Sequence, residues 1–171
     1  MNNLTIIRGL PGSGKTTLAK AIGADVIHEA DDYFLTQGAY KFNAKQLPLA
    51  HAQCLKRTKQ SLNENKRVAV SNTFSQQWEI EPYLYLVRKT GSNLTIVDLY
   101  DQGLSDEQLA ARTVHQVPLH AIANMRHRWQ SNKHLQSLGG AWVTKFPHGY
   151  IVYLAPHHNS IDEIHISWQN A

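Results

Sequence analysis

The sequence predicts an α/β domain, a parallel sheet with helices on both faces, and three observations lead there. Short apolar runs at 4–8 (LTIIR), 24–29 (ADVIHE), 67–72 (RVAVSN) and 93–100 (NLTIVDLY) alternate with segments of helical period. A glycine-rich stretch, GLPGSGKTTLAK at 9–20, joins the first run to the first helical segment. The chain has 171 residues, 42% hydrophobic and 18% charged, enough for one sizeable core.

Each element has a local reason. Residues 4–8 read as a buried strand stopped by Gly9, followed by a helix over about 15–22 that ends at Gly23. The second strand, 24–29, is short. Residues 43–65 follow a helical period in which Leu47, Ala50, Cys54, Leu55, Thr58 and Leu62 share a face, so Cys54 is expected in the core. After the strand at 67–72, Ser75 is placed to cap a helix running to about Thr90, with Gly91 beyond it. The fourth strand, 93–100, leads to Ser105 and Gln108, a capping-box pair that starts another helix. Val117-Pro118 breaks that helix, and Pro118 opens one more that ends before Gly139-Gly140. WVTKF (142–146) and YIVYL (150–154) flank Pro147-His148-Gly149 as a C-terminal β-hairpin, and IHISW (164–168) reads as a last strand. With no repeats or linker-like tracts, residues 1–171 are expected to form one domain, with a helical lid over about 103–140 and C-terminal strands over about 142–168.

Composition narrows the setting. The single cysteine excludes an internal disulfide and leaves no expected disulfide-linked partner, which favours a reducing, cytoplasmic location. No signal peptide is expected in MNNLTIIRGL, and no stretch approaches the roughly 20 apolar residues of a membrane span. The net charge is +4, and no acidic residue occurs between Glu107 and Asp162, an interval holding Arg112, Arg126, Arg128, Lys133 and Lys145. Such an interval suits either a polyanion or a sparsely charged solvated face. His148, His157, His158 and His165 have no cysteine partner and no regular ligand spacing, so a zinc site is not expected.

The chemistry starts at the glycine stretch, which fits G-x-x-x-x-G-K-[ST] from Gly9 to Thr16 between a strand and a helix. That is a phosphate-binding loop, or P-loop, and it predicts a P-loop NTPase/kinase fold. Gly9, Pro11, Gly12, Ser13, Gly14, Lys15, Thr16 and Thr17 are expected to hold ATP, with Lys15 on the β- and γ-phosphates and Thr16 on Mg²⁺. Asp31 and Asp32 follow the second strand, where in such sheets ligands sit. A carboxylate there can orient an acceptor hydroxyl and take its proton, or simply cap a helix. The third strand ends in Ser71-Asn72, so an acidic Mg²⁺ partner would come from Asp31, Asp32 or Asp98.

These residues resemble the polynucleotide-kinase-like branch of P-loop kinases: RGLPGSGKTTLAK, ADDYF, Tyr40-Lys41-Phe42-Asn43, Ala50-His51 with Cys54, SNTFSQQWEIEPY and LAARTVHQVP, over about 4–129. The resemblance implies Asp31 as general base, Arg112 as the lid arginine, and transfer of the ATP γ-phosphate to a hydroxyl, typically a nucleic-acid 5′-hydroxyl. The chain departs from the bacteriophage-type pattern in two places. Phe34 stands where an arginine contacts the acceptor's phosphate, and Asn72 where an aspartate ends the third strand. Substrate contacts are therefore expected from Asp32, Phe34, Arg126 and Arg128. A small-molecule or nucleotide kinase on the same scaffold, and an ATP-binding switch with little turnover, are the rival readings.

Overall fold

The structure is a computed structural model. It describes residues 2–36, 38–99, 101, 103–130, 140–146, 149–155 and 162–167. In chain order the elements are β1 (Asn3–Arg8), α1 (Lys15–Ala21), β2 (Val26–His28), a 3-10 turn (Ala30–Phe34), β3 (Leu35–Thr36), β4 (Ala39–Tyr40), a second 3-10 turn (Ala44–Gln46) and α2 (Leu47–Asn63). They continue with β5 (Arg67–Asn72), α3 (Gln77–Thr90), β6 (Asn93–Asp98), α4 (Asp106–Arg112), α5 (Leu119–His127), β7 (Gly140–Phe146), β8 (Gly149–Ala155) and β9 (Asp162–Ser167).

The main sheet has the order β2-β5-β1-β6-β7-β8-β9. Its first five strands are parallel, and β8 and β9 continue it antiparallel. β1 is central and pairs in register with β5 (Asn3 with Arg67 through Arg8 with Asn72) and with β6 (Asn3 with Asn93 through Arg8 with Asp98). The three strands therefore end level, and their carboxyl ends present Arg8, Asn72 and Asp98 side by side. A central strand covered on both faces is mostly apolar, and Leu4, Ile6 and Ile7 are all buried.

Opposite faces carry separate cores. Leu4, Ile6, Val68, Val70 and Ile96 pack against α2 and α3 through Ala50, Cys54, Leu62, Ile80 and Tyr83. Ile7, Ala69 and Val97 meet Leu18 and Ala19 of α1. A third cluster joins Leu10 of the P-loop to Leu109 of α4 and Ile122 of α5, so the lid helices rest on the loop itself.

Most boundaries fall where the sequence puts them, and α2 buries Ala50, Cys54, Thr58 and Leu62 as its period requires. Some details differ, and some expectations fall outside the described residues. α4 ends at Arg112, before the Val117-Pro118 break that the sequence gives it. α3 is capped by Gln76, which makes a capping box with Glu79, and the Ser75 hydroxyl instead donates to Glu79 Oε2 at 3.0 Å. α5 ends at His127, and the expected continuation toward Gly139 lies outside the described residues from 131 on. The turn residues Pro147 and His148 also lie outside the described residues, as do His157 and His158, while β7 and β8 pair as the hairpin predicts, closing at Phe146 with Gly149.

Candidate active site

The P-loop leaves β1 at Arg8 and enters α1 at Lys15. Gly12 and Gly14 adopt φ of 78° and 96°, conformations that L side chains resist. The two positions differ in their surroundings. A Cβ on Gly14 would meet nothing within 4 Å, whereas one on Gly12 would sit 2.3 Å from the Leu109 carbonyl oxygen. Gly14 thus faces open space, and Gly12 lets α4 pack onto the loop. The buried Ser13 hydroxyl has no protein partner among the described residues. Lys15 Nζ donates to the Leu10 carbonyl at 3.1 Å, and burial pushes its ammonium down to about 8 against the pull of Glu29 and Asp31. This cation is partly desolvated and aligned along the loop, a state that phosphate charge would relieve.

Facing the loop is the 3-10 turn after β2. Its Ala30 N–H donates to Asn72 Oδ1 at 2.8 Å, so the end of β5 fixes the turn. Glu29 caps it, and Asp32 closes a reciprocal capping box by accepting from the Glu29 N–H at 3.3 Å. Asp32 also pairs with Arg57 of α2 at 2.9 Å. Asp31, next door, points elsewhere and accepts from the Tyr40 hydroxyl at 3.2 Å. Burial and the Asp31 carboxylate push the Tyr40 phenol up, so it stays a donor. The paired aspartates therefore have different environments. Asp32 is held by structural partners, and Asp31 is oriented by a neutral hydroxyl.

Glu29 is a participant with no role assigned from the sequence. Thr16 Oγ1 donates to Glu29 Oε1 at 2.7 Å, which brings that carboxylate to the start of α1. The Glu29-to-Asp32 spacing, a capping box with acidic ends, is the pattern that would have found it. Tyr40 belongs to the Tyr40-Lys41-Phe42-Asn43 stretch of the family resemblance, and the structure adds its hydroxyl bond to Asp31. Phe34, expected at the substrate, is 2% exposed and packs edge-on with Tyr33 and Tyr40. The ring of this segment that faces solvent is Phe42, 54% exposed and 5.1 Å from Phe34.

The cationic residues divide just as clearly. Arg112 ends α4, one turn past the Leu109 carbonyl that touches Gly12, and its side chain is exposed. Arg126 is committed to the protein. It ion-pairs with Asp101, donates from Nε to Asp106 Oδ1 at 2.7 Å, and donates from Nη2 to the Leu104 carbonyl at 3.0 Å. Arg128 donates to Ser75 Oγ at 3.0 Å. Both guanidiniums expected on a substrate strand thus hold internal partners: acidic residues earlier in the chain fold back onto Arg126, and the Ser75 hydroxyl accepts from Arg128. Arg8 is fully buried with its guanidinium 4.2 Å above the Trp129 ring, donates to the Gln130 carbonyl at 2.8 Å, and lies 3.7 Å from Asp98 Oδ2. Burial lowers the Arg8 pKa and raises that of Asp98, each partly offset by the other. Asp98 therefore serves Arg8, leaving Glu29 and Asp31 as the carboxylates facing the loop.

Thr16, Glu29 and Asp31 make an oxygen-only donor set beside a P-loop. That set fits Mg²⁺, which takes one or two carboxylates and completes its shell with phosphates and water. Among the described residues no three His, Cys, Asp or Glu side chains converge to hold a metal alone. No helix among them is long and apolar enough to cross a membrane.

Comparison with known proteins agrees with this geometry. The family model described as "AAA domain" matches residues 4–131. Human NEDD4-binding protein 2 is 34% identical over 134 residues, 74% of this chain but 8% of that protein. A chain in the structure of the Pnkp1/Rnl/Hen1 RNA repair complex superposes with a TM-score of 0.59 at 21% identity, over 78% of this chain and 46% of that one. A chain of AvrRxo1-ORF1:-ORF2 with ATP superposes with a TM-score of 0.61 at 16% identity, over 91% and 59%. The chain thus spans less than two thirds of the length of each. The match over residues 4–131, on a sheet and loop of this form, places the chain in the AAA-domain family, with a P-loop kinase-like α/β fold.

Proposed function

We propose that the protein is an ATP- and Mg²⁺-dependent phosphotransferase acting on a hydroxyl, with the 5′-hydroxyl of a nucleic acid as acceptor, and that residues 1–171 work as one catalytic domain. The observation that carries the reading is the separation of Asp31 from Asp32. One carboxylate is used up in a cap and an ion pair, and the other is oriented toward the loop side by Tyr40. A structural aspartate has no need of that arrangement. A general base does, because proton transfer requires a fixed lone pair within reach of the hydroxyl.

In this reading Gly9, Pro11, Gly12, Ser13, Gly14, Thr16 and Thr17 surround the ATP phosphates. Backbone N–H groups of the loop and the start of α1 donate to them, and Pro11, which has no N–H, shapes the turn. Lys15 leaves the Leu10 carbonyl for the β- and γ-phosphate oxygens. Asp31 takes the proton of the acceptor hydroxyl as its oxygen attacks the γ-phosphorus, and ADP leaves. Arg112, carried by α4 against the loop, neutralises charge on the equatorial oxygens. Thr16 and Glu29 would hold Mg²⁺, which would supply positive charge to offset that of the phosphates. The exposed Phe42 ring, rather than Phe34, offers a face on which an acceptor base can stack. The likeness to chains in an RNA repair complex and in a complex with ATP supports the direction of this reading.

One observation favours a second reading. The internal ion pairs of Arg126 engage a cation that a long polyanion would use, and this suits a small-molecule acceptor. The deciding experiment offers γ-labelled ATP with 5′-hydroxyl DNA, 5′-hydroxyl RNA and a panel of small polyols. Label on an oligonucleotide, lost by at least about a hundredfold in Lys15→Ala and in Asp31→Asn, supports the proposal. Label on a polyol alone shifts it to the small-molecule kinase. ATP binding with no transfer to any acceptor would support the nucleotide-switch reading instead.

A further inference from the structure

The Tyr40 side chain does two things at once. Its hydroxyl donates to Asp31, and its ring lies on the imidazole of His115, with centroids 3.9 Å apart and planes 15° from parallel. Tyr40 belongs to the small β3–β4 hairpin next to the 3-10 turn, whereas His115 belongs to the loop between α4 and α5. That loop is braced rather than slack. Thr113 Oγ1 donates to the Ala110 carbonyl at 2.8 Å and accepts from the Val117 N–H at 3.1 Å, and Gln116 takes a φ of 52°. A non-glycine residue in the left-handed region persists only where its surroundings hold it. The brace leaves Val114 89% exposed and turns His115 inward onto Tyr40. Three residues before His115 stands Arg112.

We infer that Tyr40 is a positioning residue for Asp31, and that its stack with His115 latches the α4–α5 loop to the β3–β4 hairpin, so that Arg112 and Asp31 reach their working positions together. The inference rests on the proposed roles of Asp31 and Arg112. The physical reason is division of labour. The hydroxyl bond fixes where the Asp31 lone pair points, and the stack fixes where the hydroxyl stands. Reactions that depend on such placement lose rate steeply with small displacements. The latch also gives the hairpin a function beyond linking the 3-10 turn to α2.

The test uses the full chain and two measurements. In steady-state transfer from ATP to a 5′-hydroxyl oligonucleotide, Tyr40→Phe keeps the ring and loses only the hydroxyl. It should lower kcat about tenfold with the ATP KM within about twofold and thermal stability unchanged. In backbone hydrogen exchange, His115→Ala should speed exchange of amides 35–41 by several-fold and leave β5 unaffected, whereas His115→Phe, which can still stack, should restore protection. A Tyr40→Phe rate within twofold of wild type overturns the positioning role. Equal exchange in wild type and His115→Ala, or no rescue by His115→Phe, overturns the latch. An Asp31→Asn enzyme of wild-type rate would instead sink the base assignment, and a wild type without transfer would sink the acceptor reading. The exchange arm judges the latch in either case.

Discussion

The contact between Gly12 and Leu109 yields a prediction with an internal control. Gly12 and Gly14 both have positive φ, so alanine at either incurs a backbone penalty of about 1–2 kcal/mol. At Gly14 that is the whole cost to the empty protein, since the added methyl meets nothing within 4 Å. At Gly12 the methyl would lie 2.3 Å from the Leu109 carbonyl oxygen and 3.0 Å from its carbon. These are backbone atoms of a helix whose Leu109 side chain is fully buried in the lid cluster, so the clash cannot be relieved by a rotamer change. Forcing a methyl into such a space costs about a further 1–3 kcal/mol. Gly12→Ala should therefore be less stable than Gly14→Ala by that amount, read as roughly 2–4 °C in Tm for each kcal/mol in a chain of this size. Thermal unfolding without nucleotide, followed by circular dichroism, measures the difference. With ATP added the order should reverse in one respect: Gly14→Ala should lose nucleotide stabilisation, because its methyl enters the phosphate cradle. If the two variants unfold together without nucleotide, α4 does not rest on the loop, and the route by which Arg112 reaches the γ-phosphate fails with it.

Other consequences can be measured independently. Burial holds free Lys15 at about 8, and bound phosphate charge should raise it, so ATP binding should take up a proton above about pH 8. ATP affinity should then fall as pH rises from 8 to 10, and calorimetry in buffers of different ionisation enthalpy should show the uptake. Its absence would mean that Lys15 is already charged when free. His28, buried and hydrogen-bonded to Ser61 at 2.9 Å, is shifted down by desolvation and then by Arg57. An unfolded histidine protonates near 6.5, so the stability linked to His28 is complete above that pH and is lost as pH falls through it. His28→Gln should flatten this part of the stability curve, and an unchanged pH dependence would contradict the assignment. Arg126→Ala should destabilise by about 1–2 kcal/mol by releasing Asp101, Asp106 and the Leu104 carbonyl. It should leave the salt dependence of oligonucleotide binding unchanged; a slope flatter by about 0.7 would show that it contacts a phosphate after all.

What the sequence made legible was what is local. A P-loop is one contiguous segment whose residue types answer directly to backbone geometry, so Gly12, Gly14, Lys15 and Thr16 could be read without knowing their neighbours. The apolar centres of β1, β5 and β6 are equally direct, because a strand covered on both faces keeps its middle positions mostly apolar and leaves polar residues to its ends. The same holds for the α2 face and for the Ser105–Gln108 box, which closes as written.

Less legible were the surroundings that are set across long separations. A count of charges along 108–161 sees no acid near Arg126, yet its partners Asp101 and Asp106 lie 25 and 20 positions earlier and fold onto it. The acid-free interval in sequence is therefore not an acid-free surface. Phe34 was weighed against the arginine of related kinases because it occupies that place in the motif, but burial is decided by the packing of Tyr33, Tyr40 and Phe42 around it. The difference between Asp31 and Asp32 is likewise invisible in a DD pair. Successive residues of a 3-10 turn point about 120° apart, which sends one carboxylate to Arg57 and the other to Tyr40. Asn72 completes the point. Its change from the acid of related kinases looks like a lost metal ligand, yet in place its amide oxygen takes the Ala30 N–H and its nitrogen lies 3.7 Å from Cys54 Sγ. The residue anchors the turn that carries the candidate base, a part that an uncharged amide performs without burying a carboxylate beside Glu29 and Asp31.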